Sequence, residues 1–148
     1  MAVTKSMTGA GVSITVGGAT VGQLKTVQMG SAKWSTDDIT NVASPTSGSG
    51  VIKEIIPSIL DYGECSLDGI WLYNDAGQLA LQTAFNTGAS VACVVTLLKG
   101  EGQTTTGTSL SFSGYVTDPP FPQISFDKAV TFKSIIKISG TVTIAYGS

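Results

Sequence analysis

Residues 52–66 read IKEIIPSILDYGECS. The run is apolar, yet it has neither the 3.6-residue spacing of an amphipathic helix nor the alternation of a half-buried strand. It follows a Ser/Gly/Pro-rich segment, residues 43–50 (ASPTSGSG), and precedes a clear strand pattern. Pro57 turns Ile56 away from helical geometry, and Asp61-Tyr62-Gly63 has the composition of a turn. Residues 41–63 therefore read as one long loop. A soluble domain does not leave Ile52, Ile55, Ile56, Ile59 and Leu60 together in a loop open to water. Either the segment folds back onto the chain's own sheet, which makes it core, or another chain covers it, which makes it an arm.

Outward from this segment the chain is a succession of strand patterns. Residues 64–73 (ECSLDGIWLY) place Cys65, Leu67 and Trp71 on one face and Glu64, Ser66 and Asp68 on the other, with Gly69 marking a bulge. Residues 75–87 hold the one good helix pattern. Asp75 is the N-cap, with Gln78 spaced for a capping box; Leu81, Ala84 and Phe85 form the apolar stripe, and Gly88 is the stop. Residues 91–98 are nearly all apolar, as in a strand buried on both faces. After a polar loop at 100–107, residues 109–117 alternate, with Leu110, Phe112 and Val116 inward. Residues 118–122 (DPPFP) form a rigid connection outside any ladder, and 123–126 a short edge strand. Residues 130–139 alternate again, setting Val130, Phe132, Ile136 and Ile138 against Thr131, Lys133, Ile135 and Lys137; 141–146 make a last strand. On the N-terminal side, residues 12–16 and 19–23 flank Gly17-Gly18 as a hairpin. Strands at 25–29 and 32–40 follow, the second carrying Trp34, Asp37 and Asp38 and having one wet face. The expected fold is mainly β: a single domain over 1–148, a β-sandwich or open barrel of about eight strands capped by one short α-helix.

Composition narrows the function. The chain has 148 residues, enough for one core, and is 42% apolar but only 12% charged, about half the ordinary charged share. So few charges imply either that much of the surface becomes interface or that it is built from Ser, Thr and Gly. The net charge is −2 and every basic residue is Lys; without the Arg fork, sequence-specific nucleic-acid binding is disfavoured. The absence of His removes the commonest general base, the Ser-His and Cys-His pairs and most transition-metal sites. Cys65 and Cys93 stand alone in apolar runs and read as buried structural thiols, which suits a reducing compartment. Residues 1–13 lack the apolar centre of a signal peptide, and the longest apolar stretch is far too short to span a bilayer. The expectation is a protein made in, and retained by, a cytoplasm until something releases it.

No catalytic, cofactor or metal site emerges. Gly9 and Gly11 lack the third glycine of a dinucleotide loop, no Gly-Lys-Ser/Thr occurs, and Asp37/Asp38 do not fit a Ca²⁺ loop. The chain is not read as an enzyme. Trp34 and Trp71 read as core anchors, or as ligand platforms if the chain is a β-sandwich binding or adhesion module. Asp38, Glu64 and Asp68 lie on polar faces of strands. They make either a solvated sheet face or a negative surface that repels phosphate.

Several features follow one another along the chain: Asp38-Ile39-Thr40-Asn41 with the Ser/Gly-rich loop, Glu54-Ile55-Ile56-Pro57, and the run from Leu60 through Asp61-Tyr62-Gly63 to Asp68. Asp75-Ala76-Gly77-Gln78-Leu79 and Ser113-Gly114-Tyr115-Val116 complete the pattern. In this order and spacing the chain resembles the tail tube (major tail) proteins of long non-contractile-tailed bacteriophages. The resemblance covers residues 38–116. It implies a structural virion protein, synthesised in the bacterial host cytoplasm, whose hexameric rings stack into a tail tube for genome ejection. Its implied partners are copies of itself, the tape-measure protein, and tail terminator and tail-tip proteins. DNA transits without specific binding, past a typically electronegative lumen. Carried onto this chain, Ile52, Ile55, Ile56, Pro57, Ile59 and Leu60 become a subunit or ring interface arm, and Asp38, Glu64 and Asp68 candidate DNA-facing carboxylates.

Overall fold

The computed structural model describes residues 11–48, 50–99 and 107–148. Its strands in chain order are β1 (Ser13–Val16), β2 (Ala19–Thr20), β3 (Leu24–Met29), β4 (Lys33–Asp38), β5 (Thr46–Ser47), β6 (Gly50–Val51), β7 (Ile55–Asp61) and β8 (Glu64–Ile70). Helix α1 (Ala76–Thr87) follows, then β9 (Val91–Thr96), β10 (Ser109–Asp118), β11 (Pro122–Gln123) and β12 (Thr131–Ala145). The expected hairpin at Gly17-Gly18 forms, both glycines having positive φ, 59° and 86°, as a two-residue turn with the twist of its strands requires.

Strands run antiparallel in the order β2-β1-β9-β10-β12-β8-β3, with β11 added against β12, and the sheet curls into a half-barrel. The mainly β, open-barrel expectation holds. Alternation decides which face is core. Cys65 and Leu67 of β8, Phe132 and Ile136 of β12, Cys93 of β9 and Ile14 of β1 are buried on one side, where α1 packs across β1, β2 and β10. The stretch read as buried on both faces, β9, is buried on one only: Cys93 and Val95 point inward while Ala92 and Thr96 are exposed. The two final strand patterns are a single strand, β12, whose ladder with β10 shifts register at Gly140 (φ 87°) rather than ending there. Part of the DPPFP connection does join a ladder, since Pro122 pairs with Phe132 at the sheet's margin.

The ends of α1 were legible locally, but its packing was not. The Asp75 carboxylate accepts from the Gln78 backbone N–H at 3.0 Å and from the Gly22 N–H at 3.1 Å, and Gly88 closes the C-terminus in the left-handed region. The Gln78 side chain does not complete a capping box. Instead its Oε1 accepts from the Leu72 N–H at 3.0 Å and its Nε2 donates to the Ile70 carbonyl at 3.0 Å, tying the helix start to the end of β8. Leu81 and Ala84 are buried as expected, whereas Phe85 is half-exposed.

The largest departure from expectation is at residues 52–63, which are not a loop. Most of the segment is strand β7, paired antiparallel with β4 in a two-stranded ribbon separate from the main sheet. Pro57 fits because a strand with one neighbour can turn its missing donor to solvent. Within the segment read as a featureless loop, β5 and β6 form a small hairpin. Strand β4, expected to have one wet face, is exposed on both.

Candidate functional site

The ribbon continues the hairpin made by β3 and β8. Met29 pairs with Cys65, the Gly30 N–H donates to the Glu64 carbonyl at 2.7 Å, and pairing resumes at Lys33–Asp61. At this root the two backbones come close enough that a Cβ on Gly30 would stand 2.8 Å from the Glu64 nitrogen. Gly63 has φ 79°, which L side chains rarely adopt. Asp61 fixes the turn: its Oδ1 accepts from the Gly63 N–H at 2.8 Å and lies 3.6 Å from Lys137 Nζ. The Gly63 N–H and then the lysine charge hold the Asp61 carboxyl below its usual range. Beyond β4 and β7 the ribbon runs on through the Ile39 N–H to the Glu54 carbonyl (3.0 Å) and the Glu54 N–H to Thr40 Oγ1 (2.7 Å).

Register assigns the ribbon's faces. Trp34 lies opposite Leu60, Thr36 opposite Pro57 and Asp38 opposite Ile55, so these six share one face. Asp37 and Ile56 share the other, and an irregularity between Trp34 and Thr36 accommodates Ser58 and Ile59. Ile52, Ile55, Ile56, Ile59 and Leu60 are 37–68% exposed, and Trp34 is 56% exposed. The ribbon therefore shows apolar side chains to solvent on both faces and does not fold back onto the chain's own core. Trp34 is no core anchor; Trp71 does pack against the core.

Of the three carboxylates singled out from the sequence, Glu64 and Asp68 share one face of the main sheet and Asp38 does not. Glu64 and Asp68 project from β8 on the sheet face opposite the core, where they pair with Lys137 and Lys133 of β12. This face also carries Ser66, Tyr115 and Gln28. Asp38 stands on the ribbon, its Oδ1 accepting from the Thr40 N–H at 2.9 Å. Hydrogen bonds from the Thr40 hydroxyl and then its N–H hold its carboxyl below the usual range.

Two further surfaces escaped the sequence. Between β3 and the ends of β9 and β10 the half-barrel leaves a cleft of about 580 Å³, lined by Val12, Leu24, Val27, Met29, Val95 and Leu110 among others. At the opposite end of β8 from the ribbon, Tyr73, Leu79, Phe121, Ile124 and Phe126 are all more than half exposed. Phe121, Ile124 and Phe126 lie on a connection with no periodicity, so no local signal marked them. Among the described residues no cluster of three or more His, Cys, Asp or Glu could hold a metal, and no helix is long and apolar enough to cross a membrane.

No protein-family model and no curated protein matches the sequence. Solved structures do match. One is the sheath/tube terminator of an extracellular contractile injection system, PVC, in its extended state: 9% identity, TM-score 0.72, covering 97% of this chain and 99% of that one. Another is the tube-terminating cap of the anti-feeding prophage AFP, at 14% identity and TM-score 0.69, covering 99% and 95%. A third comes from the tail of an empty GTA particle refined with helical C6 symmetry, at 14% identity and TM-score 0.61, covering 85% and 84%. The fold is one found in tail-like assemblies. At these identities the likeness is one of fold alone, and it extends over nearly the whole chain in the first two cases.

Proposed function

We propose that the chain is a structural subunit of a tail-like particle, that six copies close a ring around a channel, and that rings stack into a tube that conducts DNA. The observation that carries this is the ribbon. A two-stranded ribbon is marginal alone in water, and this one shows Trp34, Ile55 and Leu60 on one face and Ile56 on the other. A neighbouring subunit gives each face a partner, and each isoleucine fully covered contributes about 1.5–3 kcal/mol. Ile52, Ile55, Ile56, Pro57, Ile59 and Leu60 are then the interface arm. Six-fold order is supported by the C6 symmetry of the GTA tail and the six-fold symmetrised AFP baseplate, whose component also matches (TM-score 0.57). The outer edges of β2 and β3 are the ends of the main sheet; pairing them around a ring satisfies their free backbone groups. The sheet face bearing Glu64 and Asp68 lines the channel, with Lys133 and Lys137 in register across the ladder and Lys137 shared with Asp61, so that phosphate meets little net attraction. Tape-measure, terminator and tail-tip proteins are the partners that such a tube requires, and the virion tail is its location.

A second reading is favoured by the PVC terminator and the AFP cap, which match this chain nearly end to end: a ring that ends a tube instead of repeating along it. Negative-stain electron microscopy of the purified protein separates the two. Tubes of indefinite length with six-fold end views are expected, whereas discrete rings that never lengthen support the terminator. A strictly monomeric protein at high concentration, with a tape-measure partner present, overturns both. Ile56→Asp is expected to leave a folded monomer with an unchanged circular-dichroism melt and to abolish polymerisation. An unfolded monomer would make the segment core.

A further inference from the structure

We infer that the distal half of the ribbon on one copy docks against the β10–β12 connection of the next copy along the tube, an acidic strand pair meeting a mixed polar and apolar groove that carries two lysines. This rests on the stacked-ring function above and adds the surface that receives the arm. The placement comes from the sheet. The ribbon leaves from the end of β3 and β8 where Met29 pairs with Cys65. The connection lies at the other end, where Thr131 pairs with Ile70 and Leu24 with Gly69. Surfaces at opposite ends of the same strands meet head to tail when copies stack, and such a contact repeats without closing. Residues 33–40 of the ribbon span about 25 Å at the rise of an extended strand, enough to reach beyond the copy that carries them.

The chemistry of the two surfaces matches. On the ribbon, Asp38 lies across from Ile55 on one face and Asp37 across from Ile56 on the other, and all four side chains are exposed, so a groove that takes the ribbon between its walls meets an acid and an isoleucine on each side. At the receiving end a groove of about 360 Å³ is lined by Lys25, Ile124 and Lys128 among others, with no carboxylate in its lining. Asp127 belongs to the same connection but stands outside the groove. Ile124 is 82% exposed and Phe126 fully exposed. At the distal end of the ribbon Asp37, Asp38 and Glu54 outnumber the exposed Lys53, so its charge is net negative, while the groove lining is positive; exposed apolar side chains accompany charge of opposite net sign on the two surfaces.

Charge reversal of the full-length chain tests the match, read as the critical concentration for tube growth. Asp37→Lys with Asp38→Lys, and separately Lys25→Glu with Lys128→Glu, are each expected to raise it about tenfold or more while rings persist. A chain carrying all four changes is expected to recover to within about threefold of wild type. Because reversal can perturb the ribbon itself, Asp37→Asn with Asp38→Asn is the milder probe. It is expected to remove most of the salt dependence of tube growth that the wild type shows. If the reversed variants form tubes at the wild-type concentration, or the four-fold variant makes rings but no tubes, the docking surface is wrong although the stacked tube stands. If the wild type itself makes no tubes, the stacking function falls and the docking contact falls with it.

Discussion

Cys65 and Cys93 show how far single residues could be read. Their apolar neighbours marked them as buried thiols, and both are free and fully buried. Burial, and then the neighbouring Cys93, pushes the Cys65 thiol up to about 12, and burial pushes Cys93 up to about 11. In the unfolded chain both ionise near 9, so above that pH the unfolded state releases protons that the native state keeps, and stability falls as pH rises. We expect a loss of about 1.4 kcal/mol per pH unit per thiol between roughly pH 9 and 11. Urea denaturation at pH 8, 9 and 10 measures it; in Cys65→Val/Cys93→Val the slope from these two groups disappears. Gly77 was less legible. It sits in the first turn of α1, where helix propensity favours alanine. A Cβ there would stand 2.6 Å from the Thr20 carbonyl and the Val21 nitrogen of the facing chain. Gly77→Ala is therefore expected to destabilise by about 1–3 kcal/mol, because a backbone on the other side must move; a denaturation midpoint shift checks this.

Elements were legible where their signal is local and obscure where a partner strand supplies it. Asp75 and Gly88 bound α1 through bonds within the helix turn, so their residue types announced them. Strand β7 hid because its pairing irregularity breaks the two-residue period: Ile55, Pro57 and Leu60 share a face that alternation would split. Its apolar residues therefore look like neither strand nor helix until β4 is set beside them. The same limit explains Gln78, whose spacing from Asp75 suggested a capping box but whose amide serves the end of β8. Removing it strands the Leu72 N–H and the Ile70 carbonyl in a site where Gln78 is 3% exposed. Gln78→Ala is expected to cost about 2–3 kcal/mol. Gln82→Ala on the exposed face, which loses only a bond to Asn86, should stay within about 0.5 kcal/mol. Chemical denaturation of the two variants side by side makes the comparison.

For the whole molecule, the sequence carried the fold class and the apolar segment that the chain's own core does not cover, but not the direction in which the sheet faces. Low charge and absent arginine suit any wall that must not grip DNA, and they do not choose between the two faces. The half-barrel decides only which face is free, because one face is filled by Leu67, Phe132, Ile136 and the helix. The other is left to Glu64, Asp68, Lys133 and Lys137. In a closed ring that open face turns either to the channel or to the outside. A cysteine at position 68 decides between them, since the native thiols are buried and held neutral and so stay silent to maleimides. In assembled tubes of Asp68→Cys, a small maleimide is expected to label fully, while a maleimide carried on a globular protein too wide for the channel labels only after the tubes are dissociated. Equal labelling of intact tubes by both reagents would put this face on the exterior and remove Glu64 and Asp68 from the path of DNA. Should the bulky reagent be excluded as expected, Asp68→Lys then becomes the functional counterpart. It sets a lysine opposite Lys133, should leave ring closure intact, and should slow DNA passage by giving the wall a net positive patch.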